Sequence, residues 1–223
     1  MIPTSIDGTD ITGATIDGTD VQEITVDGNV VFSAGPTNVF EDFESGNVND
    51  WTDRFGTITI TSNPINGNFS GLVGPAGGQG LTSATYDPSF ITSSVNTMEV
   101  AAEFIEDTDV DFCGVALCDN SNPGTSVSCT WNSGVGGEAI IYETINTNDT
   151  RLFAPASGSR FGSTIRIELL YNFNTNTITG TWFENGSQFE QATVSTSVST
   201  LNVAGVATIR NNPKVDDFEV NFT

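Results

Sequence analysis

Short runs of alternating apolar and polar residues constrain the fold of this chain more than any other feature. Such runs recur from residue 39 to residue 222, and alternation with a period of two is typical of strands with one buried face. Clusters such as Asn66-Gly67-Asn68 and Asn211-Asn212-Pro213 separate the runs, and these residue types favour turns. No convincing helix is predicted, so the pattern indicates an all-β protein.

The number and spacing of the predicted strands narrow the architecture further. They cover residues 39–43, 57–61, 81–86, 97–105, 110–118, 126–132, 138–144, 150–153, 164–171, 177–184, 189–194 and 203–222, the last in two pieces. Many short strands at this spacing are typical of a two-sheet sandwich or jelly roll. The 15 Phe and 3 Trp residues can fill its core with few, large side chains.

The first 35 residues follow a different pattern, a repeat with a period of ten residues. Ile6-Asp7-Gly8 returns as Ile16-Asp17-Gly18 and then as Val26-Asp27-Gly28. An Asp-Gly pair between β-forming residues favours a tight hairpin turn. We therefore predict a module of very short hairpins at residues 1–35 and a second domain at residues 36–223. Such short strands need stacking neighbours. We favour other subunits as these neighbours, and packing on their own domain is the alternative.

The charge balance excludes several classes of function. The chain has 28 acidic and 6 basic residues, a formal charge of −22, and no histidine. Ser-His-Asp triads and HExxH zinc sites are therefore excluded. Nucleic-acid binding is not expected, because it requires a basic surface that neutralises phosphates. No apolar run reaches the roughly 18–20 residues that a membrane helix needs, so membrane insertion is not expected either.

The same charge predicts adaptation to high salt. Self-repulsion destabilises a compact state, but at molar salt the Debye length is only about 3 Å. We interpret the composition as halophilic; an ordinary acidic secreted protein is the alternative.

The three cysteines allow only some disulfide pairings. Cys113 and Cys118 lie five positions apart on one predicted strand, a separation of about 16 Å, whereas a disulfide needs Cα atoms within about 7 Å. Cys129 lies on the next predicted strand and could pair with Cys113 or with Cys118. Three small buried thiols are an equally good interpretation.

Two parts of the sequence resemble known families. Residues 40–46 (Phe-Glu-Asp-Phe-Glu-Ser-Gly) followed by Trp51, together with residues 215–220, resemble the first and last strands of concanavalin A-like lectin/glucanase jelly rolls. Residues 165–171 and 178–183, joined by an Asn-rich turn, resemble the central strands of that fold. Residues 1–35 resemble the Asp-Gly repeats of tail and surface proteins of haloarchaeal tailed viruses.

The resemblance to jelly rolls implies candidate site residues. Sugars in such folds contact aromatic rings and planar polar groups, and the candidates here are Trp131, Asn132, Tyr142, Arg151 and Trp182. The first and last strands of the fold often lie side by side, which would bring Asp42, Glu44 and Asp217 together. Clustered carboxylates suit calcium, so a structural Ca²⁺ is a further expectation. The Glu-x-Asp-x-x-Glu pattern of the laminarinase-like enzymes is absent, and we expect no catalysis.

Together the resemblances imply a virion surface protein that attaches to a host glycan or glycoprotein. Residues 1–35 would bind other virion proteins and form a homo-oligomer, a trimer as in tail fibres or a pentamer as in a vertex turret. No signal-peptide pattern is visible in Met1–Ser5, which fits assembly in the host cytoplasm. The alternatives are a structural decoration or baseplate protein without a sugar ligand, and a halophilic secreted glycanase.

Overall fold

The computed structural model describes the chain in segments. These are the strand residues 5–6, 9–10, 15–16, 19–20, 23–26 and 29–33, followed by residues 38–78, 80–87, 91, 95–105, 112–133, 137–156, 158, 162–209 and 212–223. None of the described segments contains a helix long and apolar enough to cross a membrane.

The first six strands form three separate antiparallel pairs. Strand β1 (Ser5–Ile6) pairs with β2 (Thr9–Asp10), β3 (Thr15–Ile16) with β4 (Thr19–Asp20), and β5 (Glu23–Val26) with β6 (Asn29–Ser33). The prediction of short hairpins is therefore confirmed. The Asp-Gly pairs at 7–8, 17–18 and 27–28, and residues 34–37, lie outside the described residues, and the division of the chain at residue 35 remains a prediction.

Fifteen further strands lie within the described residues from 38 onward. They are β7 (Val39–Glu41), β8 (Trp51–Asp53), β9 (Ile58–Thr61), β10 (Ser70–Val73), β11 (Ala84–Tyr86), β12 (Thr97–Ile105), β13 (Phe112–Asp119), β14 (Asn122–Asn132), β15 (Glu138–Ile145), β16 (Asn148–Phe153), β17 (Thr164–Asn172), β18 (Thr177–Glu184), β19 (Ser187–Ser195), β20 (Val203–Thr208) and β21 (Lys214–Phe222).

These strands build two antiparallel sheets that pack as a sandwich. The first sheet has the order β19-β18-β17-β12-β21-β10-β9, with β7 also paired to β21. The second has the order β16-β15-β14-β13-β20-β11-β8. The predicted all-β jelly-roll sandwich is thus the observed fold.

Alternation along the strands explains how the sheets stack. In β17 every second residue, including Ile165, Ile167 and Leu169, is buried, whereas Arg166 and Glu168 between them are only partly buried. The buried sets of the two sheets form one core cluster, because side chains on a strand alternate between its faces.

The two ends of the described sandwich meet in one sheet, as predicted from the sequence. Strand β7 runs antiparallel to β21, with Glu41 opposite Phe218 and Phe40 opposite Glu219. Phe43 and Phe218 are both fully buried. The last strand is therefore an integral part of the core.

Candidate functional site

A cleft of about 540 Å³ opens at one end of the second sheet. It lies among the segment that follows β8, the turn between β13 and β14, and the turn between β15 and β16. The lining residues are Asp53, Arg54, Phe55, Asn122, Pro123, Gly124, Asn146 and Thr147. Concave surfaces with a few polar groups and an apolar contact are the usual form of small-molecule sites.

The Phe55 side of the cleft is held by backbone hydrogen bonds. The amides of Arg54 and Gly56 both donate to the carbonyl oxygen of Ser83, over 2.9 and 3.1 Å. A Cβ atom at Gly56 would lie 2.3 Å from the Gly74 carbonyl oxygen, so this close approach requires glycine. The ring of Phe55 is 39% exposed, and the fixed backbone presents it to solvent.

The opposite wall is a tight turn with strained backbone. Asn146 and Thr147 have φ values of +49° and +66°, and the Thr147 amide donates to the Gly124 carbonyl oxygen over 2.9 Å. Positive φ at both central residues is the type I′ hairpin geometry, which favours glycine at the second position. A β-branched residue in this region is an outlier, and such strain tends to occur at functional sites.

Hydrogen bonds connect the two Asn-containing turns. The side-chain nitrogen Nδ2 of Asn122 donates to Asn146 Oδ1 and to Thr125 Oγ1, each over 3.0 Å. The Asp119 carboxylate accepts from the backbone amides of Ser121 and Asn122. Burial works to raise the pKa of Asp119, but hydrogen bonds from Ser121, Thr200 and these amides outweigh it and lower the pKa. The turn is thus organised around a charged carboxylate.

Several polar groups at the cleft have no hydrogen-bond partner within the described segments. Among them are Asn122 Oδ1, Asn146 Nδ2 and Arg54 Nη1. An amide oxygen accepts, an amide nitrogen donates, and a guanidinium nitrogen donates with a positive charge. The cleft therefore offers an acceptor, neutral donors and a cation beside an exposed ring.

The predicted ligand-binding residues divide between the core of the sandwich and the outer face of the second sheet. Trp131 and Trp182 are fully buried in the core between the sheets, and Trp182 donates its indole N–H to the Thr130 carbonyl oxygen. Their assignment as sugar platforms is therefore wrong, because a ring without exposed surface cannot stack on a sugar.

Tyr142, Arg151 and Asn132 do come together, on strands β14 to β16. Tyr142 lies opposite Arg151, whose guanidinium is 5.7 Å from the ring centroid. Arg151 contacts Glu138 over 3.4 Å, and Asn132 donates to the same carboxylate. Tyr142 is fully buried in a second apolar cluster with Phe112 and Ile140, so the expected contact of its ring with sugar is also wrong. A role for Arg151 and Asn132 stays a prediction.

The predicted calcium ligands are not assembled as one group. Glu44 accepts hydrogen bonds from the backbone amides of Asn68 and Phe69 and from the Asn68 side chain, and these bonds lower its pKa. Asp217 has its pKa raised, mainly by burial and also by the charges of Glu219 and Asp42. Across the described part of the chain, no three His, Cys, Asp or Glu side chains are placed to hold a metal ion. Calcium at Asp42, Glu44 and Asp217 remains a prediction without support from this geometry.

The three cysteines form no disulfide. Cys113, Cys118 and Cys129 are all buried, and none of them is bonded to another cysteine. Cys129 lies opposite Val115, and Cys118 opposite Ser126, so Cys118 and Cys129 point to opposite faces of the sheet. Of the two interpretations left open by the sequence, the structure therefore has three small buried cysteines and not a bridge. Burial raises the pKa of the Cys118 thiol to about 11.

Comparison with known proteins identifies the fold. No family model and no curated protein matches the sequence. Among solved structures, the GH43 protein BlXynB from Bacillus licheniformis matches with a TM-score of 0.56 at 10% identity, over 82% of this chain. This chain spans only 38% of that protein.

Two smaller proteins match over nearly their whole length. Lectin I from Ulex europaeus, in complex with the methyl glycoside of α-L-fucose, has a TM-score of 0.53 and 12% identity, covering 83% of this chain and 98% of the lectin. The carbohydrate-binding module CBM66 from Bacillus subtilis has a TM-score of 0.52 and 9% identity, covering 76% and 93%. At these identities the likeness shows a shared jelly-roll fold.

Sequence reasoning did not find the cleft. In the sequence, residues 119–124 and 144–149 have only the composition of turns, and Asp53 to Phe55 form no known motif. The signal that was available is the concentration of Asn in two turns on neighbouring hairpins, Asn120 and Asn122 in one and Asn146 and Asn148 in the other.

Proposed function

We propose that this protein binds a carbohydrate, and that the sugar occupies the cleft beside Phe55. The observation that carries the proposal is the combination of an exposed aromatic ring with unpaired amide groups of Asn122 and Asn146 in one concavity. Sugar hydroxyls both donate and accept hydrogen bonds, so a neighbouring acceptor and donor suit them. The apolar C–H face of a pyranose suits an aromatic ring.

The fold comparisons add support. A lectin and a carbohydrate-binding module are among the similar structures. The GH43 protein leaves hydrolysis to be considered. Glycoside hydrolysis requires two carboxyl groups flanking the bond, and Asp53 is the single carboxylate among the residues that line the cleft. We therefore favour binding without catalysis.

A glycan array tests the proposal when it is combined with two phenylalanine variants. Phe55→Ala should weaken binding at least tenfold, because the ring supplies the apolar contact. Phe40→Ala is the matched control: Phe40 is 57% exposed but lies on β7 of the first sheet, and its removal should leave binding unchanged. Equal effects of the two variants, or no sugar bound at all in molar salt, would contradict the proposal.

We further propose that the protein stands on the surface of a virion and attaches the particle to a host glycan or glycoprotein. The support comes from the Asp-Gly repeats of the sequence, whose flanking strands form three antiparallel pairs, and from the charge of −22. Residues 1–35 would contact other virion proteins and assemble a homo-oligomer, a trimer by preference. A decoration protein without a sugar ligand is the alternative.

Deletion of residues 1–33 tests the role of the repeats. The sandwich has its own core and should remain folded as a monomer, which light scattering of both forms would detect. If the shortened chain keeps the subunit number of the full chain, the repeats do not assemble it. Loss of cell binding by the Phe55→Ala variant in molar salt would favour attachment to a host glycan over the role of a decoration protein without a sugar ligand.

A further inference from the structure

We propose that the cleft selects sugars that carry a carboxylate, such as uronic acids, and that Arg54 is the residue that recognises this group. The inference rests on the proposed carbohydrate binding and names the class of sugar bound at the same site.

Arg54 differs from the other arginines that the structure describes. Arg151 contacts Glu138 over 3.4 Å, and Arg166 contacts Glu168 over 2.9 Å and Glu219 over 3.3 Å. Arg54 has no carboxylate within 4 Å among the described residues; its two hydrogen bonds go to neutral oxygens. In a chain with 28 acidic and 6 basic residues, an arginine without an acidic partner is unexpected.

Hydrogen bonds fix the direction of the Arg54 guanidinium. Nε donates to Thr85 Oγ1 over 2.9 Å, and Nη2 donates to Asn120 Oδ1 over 2.5 Å. Thr85 Oγ1 in turn donates to Asp87 over 3.3 Å. These contacts hold the charged plane in place and leave Nη1 unpaired within the described residues. A preorganised guanidinium loses less entropy when it forms further hydrogen bonds.

An arginine with unused hydrogen-bond donors favours a carboxylate as its ligand. Hydrogen bonds between a guanidinium and a carboxylate are about twice as strong as neutral ones. The one acid among the lining residues, Asp53, accepts from the Ile58 amide over 3.1 Å, which ties one of its oxygens to its own loop. A sugar bound through Phe55, Asn122 and Asn146 could therefore extend a carboxylate to Arg54.

Calorimetric titration with matched sugar pairs tests the inference: glucose against glucuronate, and galactose against galacturonate, in the full-length protein. At 0.5 M salt we expect at least one uronate to bind about tenfold more tightly than its neutral partner, a difference of about 1.4 kcal/mol. Raising the salt to 3 M should reduce this ratio, because exposed charges are then screened.

Four variants identify the residue responsible. Arg54→Gln should reduce the ratio of uronate affinity to neutral-sugar affinity to about one, and Arg54→Lys should keep part of this preference. Arg166→Gln, which makes the same charge change on the other sheet, should leave the ratio as it is. Asp53→Asn should increase the ratio, because one negative charge leaves the cleft and its carbonyl oxygen still accepts from Ile58. Melting curves confirm that each variant is folded.

The outcomes distinguish this inference from the proposed function. Equal binding of neutral and acidic sugars by the native protein would overturn the inference and leave carbohydrate binding intact. A preference that persists in Arg54→Gln would overturn the role of Arg54. If none of the sugars on a broad array binds, the proposed function itself fails, and the inference fails with it.

Discussion

Trp51 and Phe218 pack edge to face, with ring centroids 4.9 Å apart and ring planes at 61°. Trp51 belongs to β8 of the second sheet, and Phe218 belongs to β21 of the first, so this contact joins the two layers. Tyr86 lies against both rings, 5.2 Å from Trp51 and 5.7 Å from Phe218. The last strand thus completes an aromatic cluster between the sheets, although it is close to the end of the chain.

Phe218→Ala should therefore destabilise the sandwich severely. Truncation of a buried Phe costs about 3–5 kcal/mol, because it removes apolar contacts and leaves a cavity. For a chain of this size that corresponds to a fall in melting temperature of about 6–20 °C. Phe40→Ala on the adjacent β7 is the control, and its effect should stay within about 0.5 kcal/mol, as at other exposed positions. A shift below 2 °C for Phe218→Ala, measured in molar salt, would contradict the packing described above.

Strict alternation made most of the sandwich predictable from the sequence. The strands predicted at 97–105 and 177–184 match β12 and β18 residue for residue, because each presents one consistently apolar face. The strands at 51–53 and 70–73 were missed. Both are short, and β10 contains Gly71, so neither carries enough alternating residues to indicate a strand.

The cleft was not predictable for a different physical reason. Its walls come from three segments that are far apart in sequence, and they meet because the second sheet places β8, β13 and β15 in a single layer. Sheet order is set by long-range pairing that local patterns do not encode. Trp131 and Trp182 are a different case. Trp131 alternates with Val127 and Cys129, and Trp182 with Ile178 and Gly180, so local alternation already favours burial of both rings.

Thr147→Gly should stabilise the protein. Thr147 has a φ of +66°, and glycine adopts this conformation without steric cost. The change also creates the Asn-Gly pair that type I′ turns prefer. We expect a gain of about 1 kcal/mol, seen as a rise in melting temperature of about 2–4 °C. The corresponding change at Gly186, Gly186→Thr, places a β-branched residue at a φ of +80° and should lower the melting temperature.

Low salt should unfold the protein. The charge of −22 is screened within about 3 Å at molar salt but over about 10 Å at 0.1 M. We expect the melting temperature to fall steadily as NaCl is reduced from molar concentration to 20 mM, followed by circular dichroism. An unchanged β-type spectrum and melting temperature at 20 mM NaCl would contradict the interpretation of the composition as halophilic.

Asp217→Asn should stabilise the protein at neutral pH and have no effect in acid. Burial, together with the charges of Glu219 and Asp42, raises the pKa of Asp217, although Arg166 works against the shift. A carboxyl whose pKa is higher in the folded state than in the unfolded state costs stability once the pH rises above the unfolded value, about 3.9 for Asp. Asparagine removes this cost and tolerates the φ of +46° at this position.

The side chain of Asp217 is only half-buried, and solvent screening limits the gain to about 0.5 kcal/mol at pH 7. The measurement is the difference in melting temperature between native protein and variant, at pH 7 and at pH 3.5. At pH 3.5 the Asp217 carboxyl is mostly protonated in the folded and in the unfolded state, so the two proteins carry the same charge at this position. A variant that is less stable at pH 7 only when calcium is present would instead favour the predicted calcium site, because a bound divalent cation would need the Asp217 charge. A variant that is less stable than the native protein at pH 7 without calcium would contradict the prediction, because removal of the charge would then cost stability.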